Sequence, residues 1–419
     1  MDLIVLTHRF PFDKGEEFLE KEVPWLSKSF GRVTFLPAGE VSGKPMRKLP
    51  ANCHGVIPAK PFRSGRPFSL TNIWAIAGIF LRVAGEELRS RQSLKPLGKP
   101  AQIKHILKEI GYALNWKAEL KAVIGQKQGE AVIIYSYWLD SWLIAAVLLR
   151  KEFPGLRIVS RVHGYDLYFE RGFLGYQPFR PWLFKHLDGV FPISFTGKKY
   201  LEEKFPGQVF KTSYLGTDRQ EAENHPSGDG IFRVVSCAMM IPLKRIHLLI
   251  EALAQLDFPV EWTHFGDGPL KDELTAQAEK LPGNIEYHFP GNVSNPALMD
   301  YYRTHPVDVF VNTSETEGIP VTIMEVISFG IPAIGPDVGG VAEVVDNQYG
   351  FLLENNFSPE TLAQKIKHLA TMDSTETTRR RHIARETFNQ KFYAGHNFPA
   401  FCREISGNEP IPADTFVHS

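Results

Sequence analysis

Short apolar runs alternate with longer amphipathic segments along most of this 419-residue chain. Runs such as Ala131–Ser136 (AVIIYS) and Val307–Asn312 (VDVFVN) have the length of strands, and they are apolar enough to be buried on both faces of a sheet. Segments such as His247–Leu256 (HLLIEALAQL) have the apolar spacing of helices. Regular alternation of strand and helix predicts parallel sheets that are covered by helices on both faces.

The alternating pattern occurs twice, and a polar stretch separates the two occurrences. This stretch, Thr217–Gly230 (TDRQEAENHPSGDG), has the composition of a linker. We therefore predict an α/β protein with two Rossmann-like, doubly wound domains, at residues 1–216 and 217–388. We expect residues 389–419 to form a helical tail that crosses back to the first domain. Ligands of such sheets bind beyond the carboxyl ends of the strands, so we expect both domains to present those ends to one cleft.

The composition is that of a soluble globular protein, with 43% hydrophobic and 22% charged residues. A formal net charge of zero gives the chain no overall attraction to nucleic acid. The three cysteines lie far apart, which argues against a disulfide framework and a cysteine-based metal site. The longest apolar stretch, Ile73–Leu81, is shorter than the roughly 20 residues that cross a bilayer. We expect a cytoplasmic protein.

Basic residues are concentrated in one segment of the chain. Residues 41–108 contain thirteen Lys or Arg and two acids, so their formal charge is 13 − 2 = +11 and that of the remainder is −11. These charges surround the apolar stretch Ile73–Leu81. Three interpretations stay open: a face that rests on the anionic inner surface of a membrane, a face that binds an acidic acceptor, and an ordinary solvated helix face.

Residues 313–340 (TSETEGIPVTIMEVISFGIPAIGPDVGG) predict a loop and a helix directly after a buried strand. Pro320 is favoured as the first residue of this helix, and Gly330 would end it. The free amides of the first turn, near Val321 and Thr322, would attract a phosphate.

Two carboxylates flank this predicted phosphate site. Glu317 precedes the helix and Glu325 lies inside it, with seven residues between them. Each could accept hydrogen bonds from hydroxyls on its own side of a phosphate, and a nucleotide-sugar has that layout of ribose diol, diphosphate and sugar. The alternative is that Glu317 is a capping acid and Glu325 an exposed helix residue.

The same stretch resembles the Glu-x7-Glu motif of the retaining GT-B-fold glycosyltransferases of glycosyltransferase family 4. Val326 departs from the pattern, since Ala is usual there. The resemblance implies that Glu317 contacts the donor sugar, that Glu325 contacts the ribose and that the amides of Gly318 to Val321 hold sugar and phosphate. The matching residues are Ser314, Glu317, Gly318, Glu325, Gly330 and Pro332.

Further stretches resemble the same family in the expected order. FGDGP (Phe265–Pro269) resembles its Gly-Asp-Gly-Pro turn, FPGNV (Phe289–Val293) the loop that frames the nucleobase, and GGVAEVV (Gly339–Val345) the Gly-Gly turn after the donor site. Together with the Glu-x7-Glu motif, the resemblance implies donor contacts by Gly266, Asp267, Gly291, Asn292, Val293, Gly318, Ile319, Pro320 and Val321.

The stretch MMIPLKRIHLLIEAL (Met239–Leu253) resembles the family's Arg-x4-Lys motif, with one departure. Lys244 matches the lysine that neutralises the donor diphosphate, and a compact ammonium suits phosphate oxygens. Met239 stands where the family has Arg. We predict either that the adjacent Arg245 replaces part of the lost charge or that the diphosphate is held less tightly. Without the resemblance, Lys244 would be an exposed cation before a helix.

In the first domain, SRVHGYDLY (Ser160–Tyr168) resembles the family's His-Gly-x-Asp motif. The resemblance places His163 beside the transferred sugar, and Asp166 would orient it or meet the acceptor. On the acceptor side we further predict Tyr137, which follows a strand and could stack on a sugar, and Gly15, which could approach the acceptor or the phosphates. The alternatives are a structural histidine and a tyrosine in the core.

The resemblance implies a retaining transferase with a nucleotide-diphosphate sugar donor, UDP-sugar first and GDP-sugar next, and a glycan or lipid-linked glycan acceptor. Bacterial surface polysaccharide or glycolipid synthesis is the expected setting. No Asp-x-Asp pair occurs in the chain, so we expect no cofactor and no metal requirement. Two rival hypotheses remain: a sugar-nucleotide epimerase or hydrolase on the same fold, and a catalytically silent binding protein, which Met239 keeps open.

Overall fold

The computed structural model describes residues 1–89, 99–125 and 131–407. Residues 90–98 of the basic segment and 408–419 of the predicted tail therefore lie outside the described residues. The chain divides into two compact units, Met1–Ser213 with the chain from Phe398 onward, and Tyr214–Asn397. The division at Ser213 lies three residues before the end of the predicted first domain.

A six-stranded parallel sheet forms the centre of the first unit, and most residues of its strands are buried, as is typical of parallel strands that are covered on both faces. Its strand order is β3-β2-β1-β4-β5-β6. Register is set by pairs such as Leu3 with Val33 and with Ile133. The strands are β1 (Asp2–Thr7), β2 (Arg32–Pro37), β3 (Cys53–Gly55), β4 (Val132–Ser136), β5 (Arg157–Val162) and β6 (Gly189–Pro192).

Helices cover both faces of the first sheet and bury its apolar side chains in two clusters. One cluster centres on Trp116, Trp142 and Leu183, and the other on Tyr135 and Phe401. The helices are α1 (Leu19–Ser29), α2 (Ile73–Arg89), α3 (Pro100–Gly125), α4 (Leu143–Leu149), α5 (Gly164–Leu167), α6 (Arg180–His186) and α7 (Phe195–Lys204), with 3-10 turns at Phe169–Arg171 and Phe173–Gly175.

The second unit repeats the architecture, with the strand order β12-β11-β10-β7-β8-β9. Its core gathers around Trp262, Leu253 and Leu362. The strands are β7 (Phe232–Cys237), β8 (Val260–Phe265), β9 (Ile285–Gly291), β10 (Val309–Val311), β11 (Ala333–Pro336) and β12 (Phe351–Leu353). The helices are α8 (Ile246–Leu253), α9 (Lys271–Ala278), α10 (Asn295–Thr304), α11 (Val321–Ser328), α12 (Val341–Val344), α13 (Pro359–Ala370) and α14 (Ser374–Lys391), with a 3-10 turn at Pro242–Lys244. The last helix, α15 (Ala394–Ser406), begins in the second unit and continues into the first, because the division between the units falls before Phe398.

The predicted α/β class with two doubly wound parallel sheets is confirmed. In each sheet the order reverses once, between β1 and β4 in the first and between β7 and β10 in the second. Such switch points leave a crevice beyond the carboxyl ends of two neighbouring strands, where ligands of open parallel sheets bind. The loops after these four strands are therefore the expected positions of a ligand site.

Candidate functional site

Two loops meet at the switch point of the second sheet. One follows β7 and carries Lys244, and the other follows β10 and carries Glu317. Hydrogen bonds join the two loops: Thr313 Oγ1 donates to the Lys244 carbonyl at 2.7 Å, and the Glu315 amide donates to the Leu243 carbonyl at 2.9 Å. These bonds fix the backbone that carries Lys244 and Glu317 relative to the sheet.

Lys244 and Glu317 form an ion pair across the switch point. Lys244 Nζ lies 2.6 Å from Glu317 Oε1, and Asn312 Nδ2 donates to the same oxygen at 3.3 Å. Both side chains keep part of their surface accessible, 22% for Lys244 and 14% for Glu317. An anion that enters here would compete with Glu317 for the ammonium, so the pair can exchange its internal partner for a phosphate.

Helix α11 begins beside this pair. Pro320 is its N-cap residue rather than its first helical residue, so the helix starts one position later than predicted. Helix geometry leaves the amides of Val321 and Thr322 without an intrahelical acceptor, which makes the helix start attractive to an anion. A side chain at Gly339 would lie 2.1 Å from the Glu317 carbonyl, and the Gly340 amide donates to the Gly318 carbonyl at 2.6 Å. The two glycines therefore let the next turn pack directly against the loop of Glu317.

Glu325 lies on the second turn of α11 and is 6% exposed. The alternative of an exposed helix residue is therefore wrong. Asn295, the first residue of α10, donates from Nδ2 to Glu325 Oε1 at 2.6 Å. A buried carboxylate is costly without hydrogen-bond donors, and ribose hydroxyls are suitable further donors.

Arg245 has a structural role in this loop. Its backbone is left-handed, with φ 46°. Its guanidinium donates to the carbonyls of Thr313 at 2.8 Å, Ser314 at 3.1 Å and Asn355 at 3.0 Å. The prediction that Arg245 replaces the charge missing at Met239 is not supported, because these bonds direct the guanidinium to the loop backbone.

The remaining predicted donor residues lie at the ends of β8 and β9, at the same edge of the sheet. The Gly266 amide donates to the Gly291 carbonyl at 3.0 Å, and a side chain on Gly266 would lie 1.9 Å from the Ala238 carbonyl. Asn292 and Val293 are exposed after β9. The Asp267 carboxylate accepts from the Gly268 amide at 2.8 Å and contacts Lys271, so it shapes the turn. Donor contacts by these residues stay predictions.

His163 ends the loop after β5 in the first unit and is 6% exposed. The centre of its ring lies 4.5 Å from the ring centres of both Tyr137 and Trp138. Neither ring nitrogen has a hydrogen-bond partner among the described residues. Burial, with a contribution from Arg161, lowers the pKa of His163 to about 3, so the imidazole is neutral near neutral pH. A buried polar ring without a hydrogen-bond partner costs stability, so such a ring calls for an explanation. A ligand that forms a hydrogen bond with the imidazole would provide one.

Two predicted acceptor-side residues have other surroundings than expected. The Asp166 carboxylate accepts from the backbone amides of His163 and Leu139, both at 2.6 Å. Among the described residues, no hydrogen bond joins this carboxylate to the imidazole of His163. Burial raises the pKa of Asp166 to about 7. Tyr137 is 1% exposed beneath His163, so its ring is part of the core and does not face an acceptor. The partly exposed aromatic residue of this loop is Trp138.

Glu16 was missed by sequence reasoning, although it follows the predicted Gly15. Its carboxylate accepts from the backbone amides of His8, Arg9 and Phe10 at 2.7 to 2.9 Å. It also accepts from Trp138 Nε1 at 2.8 Å. Glu16 thus bridges the loops after β1 and β4 and holds the indole that packs on His163. Gly15, with φ 107°, supplies the turn, and its contact with a ligand stays a prediction.

Replacement of His163 by Phe removes the buried imidazole and with it the pH dependence of stability that its burial causes. Because the folded pKa lies below the unfolded value of 6.5, the folded state loses stability as pH falls below 6.5 towards 3. We expect the free energy of unfolding of His163→Phe, measured relative to the wild type, to be about 2 kcal/mol higher at pH 5 than at pH 7.5. Urea unfolding at the two pH values tests this, with the exposed His382→Gln as control, and a pH-independent difference would contradict it.

Among the described residues, no group of three or more His, Cys, Asp or Glu could hold a metal ion. No described helix is long and apolar enough to cross a membrane.

Comparison with known proteins points to one kind of enzyme. Residues 218–387 match the family model of the glycosyl transferases group 1. The putative colanic acid biosynthesis glycosyltransferase WcaL of Escherichia coli K12 is 26% identical over 333 residues, which cover 71% of this chain and 81% of WcaL.

Solved structures show the same fold over nearly the whole chain. Anabaena Alr3699/HepE in complex with UDP has a TM-score of 0.65 at 16% identity and covers 97% of this chain and 100% of its own. TarM has a TM-score of 0.68 at 12% identity, and the match covers 97% of this chain and 99% of TarM. The chain thus has the GT-B fold, and the matches support a glycosyltransferase whose residues 218–387 carry the pattern of the glycosyl transferases group 1.

Proposed function

We propose that this protein transfers a sugar, with retention of anomeric configuration, from a nucleotide-diphosphate sugar to a hydroxyl of a glycan or lipid-linked glycan. UDP-sugar is the first candidate donor and GDP-sugar the second. The observation that carries the proposal is the Lys244–Glu317 pair at 2.6 Å, placed at the start of α11 and at the switch point of the second sheet. The similarity to a putative colanic acid biosynthesis enzyme favours a role in bacterial surface polysaccharide synthesis. The similarity to HepE, whose structure contains UDP, favours a uridine nucleotide as donor.

The second unit binds the donor in this proposal. Glu325, buried beside Asn295, accepts from the ribose hydroxyls. The diphosphate takes the Lys244 ammonium and the free amides of α11, and Glu317, released from that ammonium, accepts from the sugar hydroxyls. The diphosphate carries more charge after it leaves, so contacts of this kind stabilise the transition state more than the ground state.

In this proposal the first unit binds the acceptor, and His163 acts on the transferred sugar, as the resemblance implies. The bond between the anomeric carbon and the leaving phosphate oxygen breaks, and the acceptor oxygen bonds to the same face of that carbon. The acceptor proton passes to the leaving phosphate. His163 is neutral, so it donates or accepts a hydrogen bond and does not supply a cation. Lys244 and the α11 amides carry the leaving-group charge without a metal ion in this mechanism.

A lipid-linked acceptor would bring the protein to the inner face of a membrane, and association with that surface is part of the proposal. The first rival function, epimerisation or hydrolysis of a sugar nucleotide, needs no acceptor. The second, a catalytically silent binding protein, is motivated by Met239, which is 60% exposed where the family has a cation. Incubation with donor and then acceptor separates the three: transfer requires both substrates, whereas hydrolysis releases nucleotide and epimerisation converts the donor into an isomer without acceptor. The silent protein leaves the donor unchanged.

Thermal unfolding with a panel of UDP-, GDP-, ADP- and dTDP-sugars tests the donor site. A ligand at 100 times its dissociation constant adds about 2.7 kcal/mol to the free energy of unfolding, so we expect one nucleotide class to raise the unfolding temperature. Glu325→Ala should lose most of this rise, because the ribose loses its acceptor. The exposed helix residue Glu251 supplies the control, and Glu251→Ala should keep the rise. Equal ligand responses in both variants would refute the ribose assignment.

A further inference from the structure

Helix α2 of the first unit is apolar on two opposite sides. Its inward side chains, Ile76, Ile79 and Val83, join the core, where α2 packs against α3 and α6. The opposite side carries a second apolar row at helical spacing, which we call the outward stripe: Trp74, Ala77, Leu81, Gly85 and Leu88. An ordinary surface helix has one apolar side and one polar side, so the outward stripe is unexplained by folding.

The large side chains of the outward stripe are open to solvent. Trp74 is 85% exposed, Leu81 69% and Leu88 51%. Leu70, in the segment that leads into α2, is 93% exposed. Single exposed apolar residues are common, but a contiguous row of this kind marks an interaction surface.

Contacts with α3 fix the chain segment that precedes α2. Asn115 of α3 donates from Nδ2 to the Arg66 carbonyl at 3.0 Å, and Asn72 donates to Asn115 Oδ1 at 2.9 Å. A side chain at Gly111 of α3 would lie 2.1 Å from the Pro67 carbonyl, so the backbones are in close contact. These anchors present Leu70 and Trp74 outward, and the exposure is therefore a property of the folded unit.

The charge around the outward stripe is basic. Arg66, Arg82 and Arg89 are exposed. The two acidic residues of residues 41–108 both lie on α2. Glu86 is neutralised by ion pairs with Lys185 and Arg89, and Glu87 is only 5% exposed. Burial raises the pKa of Glu87 to about 7, which further reduces negative charge on this helix.

We propose that the outward stripe of α2 docks on the surface of an anionic lipid bilayer, with Trp74, Leu81 and Leu88 inserted at the level of the headgroups. This inference deepens the proposed function and rests on it for the lipid-linked acceptor. A short helix with Trp and Leu on one side and Arg beside them is suited to lie in the interface, where arginine side chains reach the lipid phosphates. Binding of a protein partner to the apolar stripe would not require arginines beside it, whereas an anionic membrane surface attracts each of these arginines.

Co-sedimentation with vesicles tests the inference without nucleotide or acceptor. The full chain is mixed with vesicles of phosphatidylcholine alone, or of phosphatidylcholine with one third phosphatidylglycerol. We expect binding to the anionic vesicles, and Trp74→Ser with Leu81→Ser should lower the partition coefficient about tenfold or more. Arg82→Ser should lower it about fivefold. Val209→Ser, which alters an 81% exposed residue elsewhere in the same unit, should leave it unchanged.

Unchanged binding in the Trp74/Leu81 variant would overturn the inference, as would equal binding to neutral vesicles. A dimer in sedimentation velocity that this variant dissolves, without any vesicle binding, would assign the stripe to a second copy and also overturn it. The nucleotide-sugar thermal shift is measured on the same samples. Vesicle binding without a nucleotide response would reject the proposed function alone, and a nucleotide response without vesicle binding would reject this inference alone.

Discussion

Replacement of Lys244 by Met should lower kcat/KM for sugar transfer about 10²- to 10³-fold, the loss typical of one preorganised group that stabilises developing negative charge. Met keeps most of the length of the side chain and removes the ammonium that lies 2.6 Å from Glu317. Because the diphosphate gains charge as it leaves, kcat should fall more than donor affinity. Initial rates of nucleotide release and calorimetric donor binding measure the two effects.

Lys367→Met is the matched control for Lys244→Met. Lys367 lies on α13 of the same unit, is 52% exposed and pairs with Asp257, so its loss changes the same formal charge without touching the switch point. Both variants should unfold at nearly the wild-type temperature without ligand, since partly exposed pairs contribute little stability. If Lys244→Met kept the wild-type kcat, the leaving-group role of Lys244 would be wrong, and another cation would have to be sought.

Replacement of Glu22 by Gln should lower the free energy of unfolding of the first unit by about 3 to 5 kcal/mol, because it leaves a buried charge without its counter-ion. Glu22 and Arg161 are both 0% exposed and lie 3.3 Å apart. Burial raises the pKa of Glu22, and the Arg161 charge opposes that rise. The guanidinium also donates to Tyr135 and Ser213 and lies 3.8 Å from the centre of the Phe401 ring. Urea unfolding measures the loss.

A double variant shows whether the lone charge causes the loss. Glu22→Gln with Arg161→Met removes both charges and should recover a large part of the stability, since buried pairs can often be replaced by apolar groups at little cost. Glu17→Gln, which alters a 60% exposed carboxylate paired with Arg47, should have almost no effect. Equal losses in the single and double variants would show that packing, rather than the unpaired charge, is responsible.

The fold class followed from features that act over short distances along the chain. Apolar strands such as β4 and β10 alternate with amphipathic helices, and parallel sheets covered on both faces are the stable arrangement of that pattern. The start of α11 was predicted to within one residue, because Pro320 favours a helix start and Gly330 a helix end whatever surrounds them. The proximity of Lys244 and Glu317 could also be expected, since both follow parallel strands and those strands end at one edge of the sheet.

Partners that lie far apart in the sequence were decided by the tertiary structure alone. Arg245 binds the carbonyl of Asn355, 110 residues away, and Glu16 binds the indole of Trp138 across the first switch point. No local pattern distinguishes Tyr137, which became core, from Trp138, which stayed partly exposed.

Backbone propensity and apolar periodicity are local properties, so the sequence specifies the alternation of strands and helices and the strand ends at which ligands of such sheets bind. The tertiary structure decided which side chains meet and which face solvent. Helix α2 shows the reason: its sequence is apolar around most of the helix, and only the packing against α3 and α6 determines that Val83 is buried while Trp74 is left in water.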